Sequence, residues 1–470
     1  MVSHVHCALL LAIVVTTSGC TSRTTSSLSK STNDRSASSD PAGSPASVDA
    51  FLGLLSGDMD RIQQGLTEIE NRWHPGQSAM LMEISRLGWG SPLANRLLVI
   101  LKEKAGVDHG ENSTAWDRDI WNAKYQPHPQ YSRFKSQLYA KIDSRFAEYF
   151  RQADNATIRL DEIRWGGVKR DGIPPLKNPE MISTEQATYL ADTDIVFGIA
   201  VGSDARAYPK RILAWHEMVK DVIGGLSLNG VYCTLCGSMI VYKTEFDGTH
   251  YELGTSGFLY RSNKLMYDHG TKSLWSTLEG EPCVGPLVGE GIRLQPYHVV
   301  TTTWGEWKRL HPHTRVLSLN TGHQRDYGEG VAYSDYFATD DLMFDVPASD
   351  SRLKNKDEVF IVRKAGAAPL AISLEFLRSH QLFHESLNDE NFVVVTDDTG
   401  ANRAYSTGGV KFARMETGLV IDTSGERWTI SEHNLTHATT GRPCPRLPAH
   451  RAFWFGWFAA HPDTKLISRD

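Results

Sequence analysis

Two cysteines separated by two residues, Cys233 and Cys236, stand in the apolar run VYCTLCGSMIVY at residues 231–242. A pair at this spacing forms a local disulfide, works as a dithiol redox couple, or supplies half of a metal site. Redox pairs usually begin a helix, which lowers the pKa of the first thiol. Here the pair lies within or at the end of a β-like run, and no βαβ pattern surrounds it. All three chemistries therefore stay open at this stage.

A histidine and a methionine near the pair extend the choice toward a metal site. Two thiolates and one imidazole form a soft ligand set that suits copper or zinc. We predict that His216, Cys233 and Cys236 hold such an ion. Met266 or His269 would be a further or axial ligand. Three protein ligands with an open fourth position are typical of reactive rather than structural zinc sites.

Acid–base groups lie on both sides of the cysteine pair. Glu217 adjoins His216, but on a helix it would point about 100° away from it, so we predict a base or a group that orients a ligand. Downstream, TGHQRDYGEG places His323 and Asp326 in a Gly-bounded loop, and polar loop clusters frequently bind ligands. We predict catalytic roles for Glu217, His323 and Asp326. The alternative for the loop is a salt-bridged turn.

The chain contains an internal repeat. WGEWKRLHPHTRVLS at 304–318 matches WFGWFAAHPDTKLIS at 454–468, and further upstream stretches match in the same order. The Trp and His residues that both copies share are therefore predicted to serve the fold. Cys283 and Cys444 also recur, and we expect them to be small buried side chains.

The repeat also helps to separate residues of the fold from residues of chemistry. Aligned by sequence, the second copy has Val395 and Asp398 where the first has the cysteine pair. It has a leucine where the first has His216. Because all three residues are absent from the second copy, we predict that Cys233, Cys236 and His216 belong to one functional site.

The N-terminal residues predict export. Residues 1–20 contain a short apolar stretch that ends in TSGC, which is typical of a secretory leader and resembles a bacterial lipobox in which Cys20 would be lipidated. Residues 21–47 are rich in Ser and Thr and predict a disordered tether. We expect a protein of the periplasm or cell envelope that meets the membrane only through a lipid anchor.

The remaining chain predicts an α+β protein. Residues 48–153 carry apolar positions at helical spacing, including one helix face from Phe134 to Phe150, and predict a HEAT-like or bundle domain that could dock a protein partner. After residue 158, short runs rich in Val, Ile and Tyr predict strands. We expect two diverged copies of a strand-rich α+β unit, at 158–345 with the site and at 355–470 without it.

Composition and motifs exclude several functions. The chain of 470 residues has a net charge of −6 and no basic cluster, so nucleic acid is not an expected partner. The sequence has no Ser nucleophile elbow, His-Glu-x-x-His motif or phosphate-binding loop. The first hypothesis is a metal-dependent oxidoreductase that acts on a small molecule. The alternatives are a non-enzymatic metal-binding or scaffold protein and a thiol–disulfide redox protein.

Several longer motifs resemble the bacterial DUF3179 family. They are WGGVKRDGIPPL, ARAYPKRILAWHEMVKD, VYCTLCGSMIVY, GTSGFLYRSNKLMYDHGTKSLWS and TGHQRDYGEG. The likeness covers about residues 160–470 and implies an exported bacterial protein without supplying a function. The sequence departs from the family pattern at Thr234, usually Pro, at Lys220, usually Asn, and at His323, often Tyr.

Overall fold

A helical region precedes the strand-rich sheets, as the sequence predicts. The computed structural model describes residues 44–123, 125–364 and 366–468. Within them the chain is α+β. The predicted leader at 1–20 lies outside the described residues, and so does the predicted tether up to residue 43. The tether prediction ends at Ser47, whose hydroxyl caps the first helix by accepting a hydrogen bond from the Ala50 N–H.

Helices α1 to α7 build the helical region. Their bounds are Val48–Gly53 (α1), Met59–Asn71 (α2), Gln77–Leu87 (α3), Pro92–Ala105 (α4), Ser113–Asn122 (α5), Tyr131–Tyr139 (α6) and Ala147–Phe150 (α7). Asp58 and Ser91 cap the starts of α2 and α4, and Gly106 ends α4 in the left-handed conformation. Across the described ranges, every helix falls short of the length and apolar character that crossing a bilayer requires.

The predicted helix face from Phe134 to Phe150 is interrupted. α6 ends at Tyr139, a 3-10 turn spans Ser144–Phe146, and α7 follows. The Asp143 side chain caps the 3-10 turn, so the backbone restarts there instead of continuing as one helix. Most apolar side chains of the predicted face are nevertheless buried in the core of the helical region.

Strands β1 to β17 form the first half of the strand-rich part. Their bounds are Ile163–Trp165 (β1), Leu176–Lys177 (β2), Met181–Ile182 (β3), Ile195–Val201 (β4), Asp204–Pro209 (β5), Met218–Ile223 (β6), Leu226–Cys233 (β7), Ser238–Lys243 (β8), Glu245–Phe246 (β9), Thr249–His250 (β10), Leu253–Tyr260 (β11), Asn263–Asp268 (β12), Leu274–Ser276 (β13), Glu281–Val284 (β14), Pro296–Tyr297 (β15), Val300–Thr303 (β16) and Arg315–Leu317 (β17). The helices of this half are Lys210–His216 (α8), Trp304–Leu310 (α9) and Ser334–Phe337 (α10).

The first half arranges these strands in the sheets β16-β4-β5-β17-β3, β15-β8-β7-β6-β2 and β1-β11-β12-β13-β14, with a hairpin of β9 and β10. β7 and β8 carry the cysteine pair at their shared turn and are interior strands of their sheet. Both are largely buried, which explains why the run VYCTLCGSMIVY is apolar instead of alternating.

Strands β18 to β29 form the second half. Their bounds are Glu358–Val362 (β18), Leu370–Ser373 (β19), Leu382–Leu387 (β20), Glu390–Thr396 (β21), Asn402–Ser406 (β22), Phe412–Glu416 (β23), Leu419–Asp422 (β24), Arg427–Ile430 (β25), Asn434–His437 (β26), Pro443–Pro445 (β27), Ala449–Phe453 (β28) and Lys465–Ile467 (β29). Helices Leu374–Ser379 (α11) and Trp454–Ala460 (α12) complete it. The sheets are β28-β18-β19-β29, β20-β21-β22 and β23-β24-β25-β26-β27.

Both halves show the same pairing pattern in their leading sheets. β4 pairs antiparallel with β5 and β16, and β5 pairs parallel with β17. β18, β19, β28 and β29 repeat these directions. After the sheet's edge strand, α9 and α12 each bury a motif tryptophan: Trp307 Nε1 donates to Thr314 Oγ1 at 2.8 Å, and Trp457 Nε1 donates to Thr464 Oγ1 at 3.0 Å. These shared tryptophans therefore serve the fold.

The cores connect the regions that the sequence delimits. Phe146 of the helical region packs edge-on against Phe258 of β11, with ring centroids 4.8 Å apart. One hydrophobic cluster includes both of these rings and Cys283. Cys283 and Cys444 are both buried, as predicted for small side chains that fill the core.

Candidate dithiol site

The cysteine pair lies in a hairpin turn. β7 ends at Cys233, β8 begins at Ser238, and these residues face each other in the antiparallel register. The Cys236 N–H donates to the Cys233 carbonyl at 3.2 Å. Gly237 completes the turn at a φ of 61°, where a residue without Cβ avoids a steric cost. The pair therefore stands at the end of two interior strands and not at the start of a helix.

Both thiols approach one backbone oxygen. Cys236 Sγ lies 3.2 Å and Cys233 Sγ lies 4.0 Å from the Ser262 carbonyl oxygen. Ser262 and Arg261 form the two-residue turn between β11 and β12, with φ of 62° and 49°. Such turns favour Asn and Gly, so these two residues hold a costly conformation of the kind that clusters at functional sites. Both cysteines are free thiols, 3% and 0% exposed.

The two thiols differ in acidity. A hydrogen bond from the Cys236 thiol is the largest influence on the pKa of Cys233 and lowers it, against the effect of burial. Burial, followed by the hydrogen bond that it donates, raises the pKa of Cys236 well above its usual value. These opposite directions make Cys233 the more acidic thiol of the pair.

A buried ion pair borders the dithiol. Lys264 Nζ donates to Glu217 Oε2 at 2.5 Å, and the Tyr333 hydroxyl donates to Glu217 Oε1 at 3.2 Å. The Glu217 carbonyl accepts from the Tyr232 N–H, which places Glu217 opposite the residue before Cys233. Its φ of 56° is left-handed and strained for a residue with a Cβ. Glu217 therefore lies beside the dithiol, and a catalytic role for it stays a prediction.

A small cavity of about 60 Å³ adjoins this ion pair. Its wall includes Glu217, Lys264 and Tyr333 together with apolar residues such as Leu235 and Phe344. The volume is enough for roughly two water molecules. Lys264 and Tyr333 are not among the site residues that the sequence predicts. A signal existed for Lys264, since a lysine inside the buried strand NKLMYD needs a partner; no local pattern marks Tyr333.

The second half closes the dithiol site. The Phe453 N–H donates to the Cys236 carbonyl at 2.7 Å. A Cβ on Gly456 would lie 3.0 Å from Cys236 Sγ, so the glycine permits the close approach of α12. The segment that connects the halves also covers the turn, because the Tyr336 hydroxyl donates to the Leu235 carbonyl at 2.8 Å. The cysteines belong to the first half, but the wall around Cys236 belongs partly to the second.

His216 is buried with both ring nitrogens in contact with other groups. Nδ1 lies 2.9 Å from the Pro174 carbonyl oxygen, and Nε2 lies 2.6 Å from the Tyr327 hydroxyl. Because a carbonyl oxygen can only accept, Nδ1 carries the proton and the Tyr327 hydroxyl donates to Nε2. Burial, the largest influence, lowers the pKa of His216 to about 4, so the ring is neutral at pH 7. In this arrangement His216 has no free lone pair for a metal ion.

The structure does not gather the predicted metal ligands. Met266 Sδ lies 3.8 Å from Asn229 Nδ2 and packs in a core cluster, and His269 stacks on Tyr267. Over the described ranges, no three His, Cys, Asp or Glu side chains form a group that could hold a metal ion. The predicted set of ligands therefore reduces to the two cysteines, because hydrogen bonding holds His216 elsewhere and core packing holds Met266 elsewhere.

The polar loop TGHQRDYGEG packs against His216. The rings of His323 and His216 have centroids 5.2 Å apart. The Asp326 carbonyl accepts from Trp215 Nε1 at 2.7 Å, and both loop residues are exposed. The three predicted catalytic residues therefore occupy two places: Glu217 borders the dithiol, whereas His323 and Asp326 lie on this exposed loop.

Strand registers revise the sequence alignment of the two halves. The Tyr232 N–H donates to the Glu217 carbonyl between β6 and β7, and the Thr396 N–H donates to the Gln381 carbonyl between β20 and β21. Gln381 therefore stands where Glu217 stands. The alignment by sequence missed this because the hairpin β18–β19 is one residue longer than the hairpin β4–β5.

This register changes two of the predicted correspondences. One residue earlier, His380 stands where His216 stands, so a histidine recurs in the second half. Asp397, and not Val395, stands where Cys233 stands, because each directly follows the residue whose N–H makes the matching hydrogen bond, Tyr232 or Thr396. The cysteines are therefore specific to the first half, but the histidine is not.

A strand-rich α+β unit with a buried dithiol in a hairpin turn is the class that the fold and the site define. The chain belongs to the DUF3179 family, described as a protein of unknown function, whose profile matches residues 170–464. The resemblance inferred from the motifs is confirmed, and it supplies no activity. No curated protein and no solved structure matches the chain.

Proposed function

We propose that Cys233 and Cys236 form a reactive dithiol that passes between the reduced and the disulfide state. The observation that carries the proposal is the pairing of two free thiols in one turn, both facing the Ser262 carbonyl. Their unequal acidity supports different roles: Cys233 is the attacking thiol and Cys236 the resolving one.

With a disulfide substrate, the atoms and electrons balance within the site. The Cys233 thiolate attacks one substrate sulfur, forms a mixed disulfide and releases the other sulfur as a thiolate. Cys236 then attacks Cys233 Sγ and releases the second substrate thiolate. The protein gains one S–S bond and loses two electrons, the substrate takes up both electrons, and the two thiol protons leave with the two product thiols.

Burial restricts the substrate of this reaction. Cys233 and Cys236 are almost fully covered, and the adjoining cavity measures about 60 Å³. A disulfide in a folded partner protein would have to displace Tyr336 and α12 to meet either sulfur, whereas a small molecule needs far less movement. The proposal is therefore an oxidoreductase that acts on a small molecule.

Redox titration of the purified chain tests the proposal. In glutathione buffers, alkylation followed by mass spectrometry should show one two-electron transition in the wild type. Cys233→Ser and Cys236→Ser should each remove it. Cys283→Ser is the matched control, because Cys283 is also buried, has a pKa raised by burial to about 12 and is not paired with another thiol. Folded wild-type protein whose two thiols never oxidise would contradict the proposal.

A second candidate is a soft-metal centre at the same pair, for copper or zinc. The observation that favours it is the approach of both sulfurs to one further donor, the Ser262 carbonyl oxygen. Cys233 and Cys236 fit such an ion in donor type, and a bound copper ion would supply one-electron chemistry. A protein that only stores the ion would be a non-enzymatic variant of this candidate.

Metal analysis separates the two candidates. One equivalent of copper or zinc in protein purified from its native compartment, lost in Cys236→Ser, supports the metal centre. A metal-free wild type that titrates as a dithiol supports the redox centre and contradicts the metal centre.

We also propose that residues 158–345 and 355–470 are diverged copies of one unit. The matching pairing directions of their leading sheets, the positions of α9 and α12, and the shared Trp–Thr hydrogen bonds support this. The first copy would carry the site, and the second would supply part of its wall. An experimental structure whose halves do not superpose would contradict the proposal.

For localisation, we propose export and lipidation of Cys20 on the pattern of residues 1–20 alone. The tether at 21–47 would then separate the anchor from the helical region at 48–153, which could dock a partner protein. Fractionation of cells that express the wild type or Cys20→Ser tests this. The wild type should sediment with membranes and the variant should not; wild-type protein in the cytosol would contradict it.

A further inference from the structure

Two glutamates occupy matching places in the halves, and each meets the opposite half. Glu279 follows β13 and Glu432 follows β25, each four residues after the buried tryptophan of that strand. Glu279 Oε1 lies 3.1 Å from His461 Nε2. Burial lowers the pKa of His311, and the nearby Glu432 carboxylate opposes that shift. His311 and His461 are the matching histidines of the repeated Trp- and His-Pro-containing motif, so each glutamate lies near the matching histidine of the opposite half.

Both carboxylate oxygens of Glu432 accept hydrogen bonds from arginines. Arg403 Nε donates to Glu432 Oε1 at 2.8 Å, and Arg446 Nη1 donates to Oε2. Arg446 also reaches the first half, because its Nη2 donates to the Val299 carbonyl at 2.9 Å. Both arginines are buried, so guanidinium groups fill this side of the contact between the halves.

The contact around Glu279 is incomplete. Arg363 Nη2 donates to Glu279 Oε2. Glu279 Oε1 is buried and makes no hydrogen bond among the described residues, and the polar atom beside it is His461 Nε2 at 3.1 Å. His450, which is 7% exposed, also has its Nε2 without a partner among them. Buried polar atoms of this kind cost free energy unless something satisfies them.

The difference arises at one strand position. Pro296 pairs with Tyr242 in the first half, and Arg446 bridges Tyr405 in the second. The two tyrosines match, because each hydroxyl donates to the carbonyl of the residue before the glutamate, at 3.0 Å and 2.6 Å. Pro296 therefore stands where Arg446 stands, and a proline side chain offers no donor.

A cavity of about 420 Å³ occupies the space beside Glu279. Its wall is mostly apolar and includes Pro296, Leu294, Pro369 and His450, so both halves contribute to it. Cavities of this size, with a few polar groups, at the contact of two units are typical of sites for small ligands.

The charges at the cavity decide which ligand fits. Arg293 and Lys364 line it and pair with Glu281 and Glu390, but each keeps further N–H donors. Arg363, which pairs with Glu279, also lines the cavity, so a ligand with positive charge alone would be repelled by three cations. A ligand that also carries a carboxylate would gain from them.

We propose that this cavity binds a small guanidino acid. Its guanidinium donates to Glu279 Oε1 and takes the place that Arg446 takes on Glu432. Its carboxylate accepts from the cationic side chains of the wall, Arg293 and Lys364. This site is separate from the dithiol and does not depend on the chemistry proposed there.

Calorimetric titration of the full chain with 4-guanidinobutyrate tests the proposal. Saturable binding of one molecule per chain is expected. Agmatine lacks the carboxylate and 4-ureidobutyrate lacks the positive charge, so each should bind at least tenfold more weakly. Absence of saturable binding, or butyrate binding as tightly as the guanidino acid, would overturn the proposal.

Variants locate the binding. Glu279→Gln should weaken 4-guanidinobutyrate at least tenfold, whereas Glu281→Gln, which changes the exposed partner of Arg293, should keep binding within a few-fold. Pro296→Arg copies the second half and fills the cavity, so it should abolish binding while the melting temperature is kept or raised. If Glu279→Gln does not fold, Pro296→Arg decides, and undiminished binding by that variant overturns the proposal.

Discussion

The turn that carries the dithiol and the matching turn of the second half are closed in different ways. In the first, the backbone closes the turn and both thiols point inward toward Ser262. In the second, Asp397 Oδ1 accepts from the N–H groups of Thr399 and Ala401, both at 3.0 Å. The hairpin therefore does not need thiols to form. Residues that the fold can do without, yet that are buried side by side in one turn, are the strongest candidates for function.

The histidine position, unlike the cysteine positions, is shared by the two halves. His216 binds Pro174 and Tyr327, and its counterpart His380 lies 2.9 Å through Nδ1 from the Phe376 carbonyl. Because both halves keep a histidine at the end of the matching helix, this position serves the local fold in each. Its absence from the dithiol site is consistent with that role.

The largest expected effect concerns what the halves share. Trp307→Ala and Trp457→Ala each remove a fully buried indole that donates to a threonine. Each should lower the free energy of unfolding by about 3–5 kcal/mol, measured by urea unfolding. A loss below about 1 kcal/mol for one of them would show that the matching positions are not equivalent in packing.

The next effect concerns a pair that the halves do not share. Lys264→Met leaves the buried Glu217 carboxylate without its cation, at a cost of about 3 kcal/mol. The second half has Gln381 at the position of Glu217. Adding Glu217→Gln to Lys264→Met should therefore recover most of the lost free energy of unfolding. If the double variant is no more stable than Lys264→Met alone, Lys264 stabilises the fold through contacts other than its ion pair with Glu217.

A pH effect follows from buried neutral histidines in both halves. Burial, the largest influence, lowers the pKa of His216 to about 4 and the pKa values of His298 and His450 to about 3. The unfolded chain protonates them near pH 6.5, so stability is full above that pH and falls as the pH drops toward 4. Each histidine can remove up to about 1.4 kcal/mol per pH unit.

Urea unfolding at pH 7 and pH 5 measures this effect above the range in which most carboxylates titrate. His298→Gln combined with His450→Gln should make the dependence shallower. An unchanged slope in that variant would assign the pH dependence to other groups.

The smallest effect concerns the wall that the second half provides. Gly456→Ala would place a methyl group 3.0 Å from Cys236 Sγ, so we expect a loss of roughly 1 kcal/mol. It should also slow disulfide formation, because Cys236 Sγ has less room to turn toward Cys233. Glu306 holds the equivalent position of α9. Glu306→Ala should change the free energy of unfolding by no more than about 0.5 kcal/mol and should leave the rate of disulfide formation unchanged. Equal thiol kinetics in both variants would contradict a role for this wall.

Local patterns in the sequence predicted that a helical region precedes a strand-rich part, and they placed the cysteine pair at a β-like run. They could not predict that His216 turns away, because the left-handed Glu217 redirects the chain where α8 ends. The positions of Tyr333 and Phe453 near the dithiol could not be predicted either, since they come close to it only through contacts between segments far apart in sequence. Alignment by residue type failed at His380 because one inserted residue shifted a strand register.

The reciprocal proximity of each glutamate to a histidine of the opposite half has the form of an isologous interface. In a two-fold dimer, residue i of one subunit meets residue j of the other and j meets i. Glu279 with His461, and Glu432 with His311, repeat this relation within one polypeptide. A chain with a single unit would expose the surface that the other unit now covers. Such a shortened chain is expected to self-associate as a homodimer, and the covalent link between the halves replaces that concentration-dependent step.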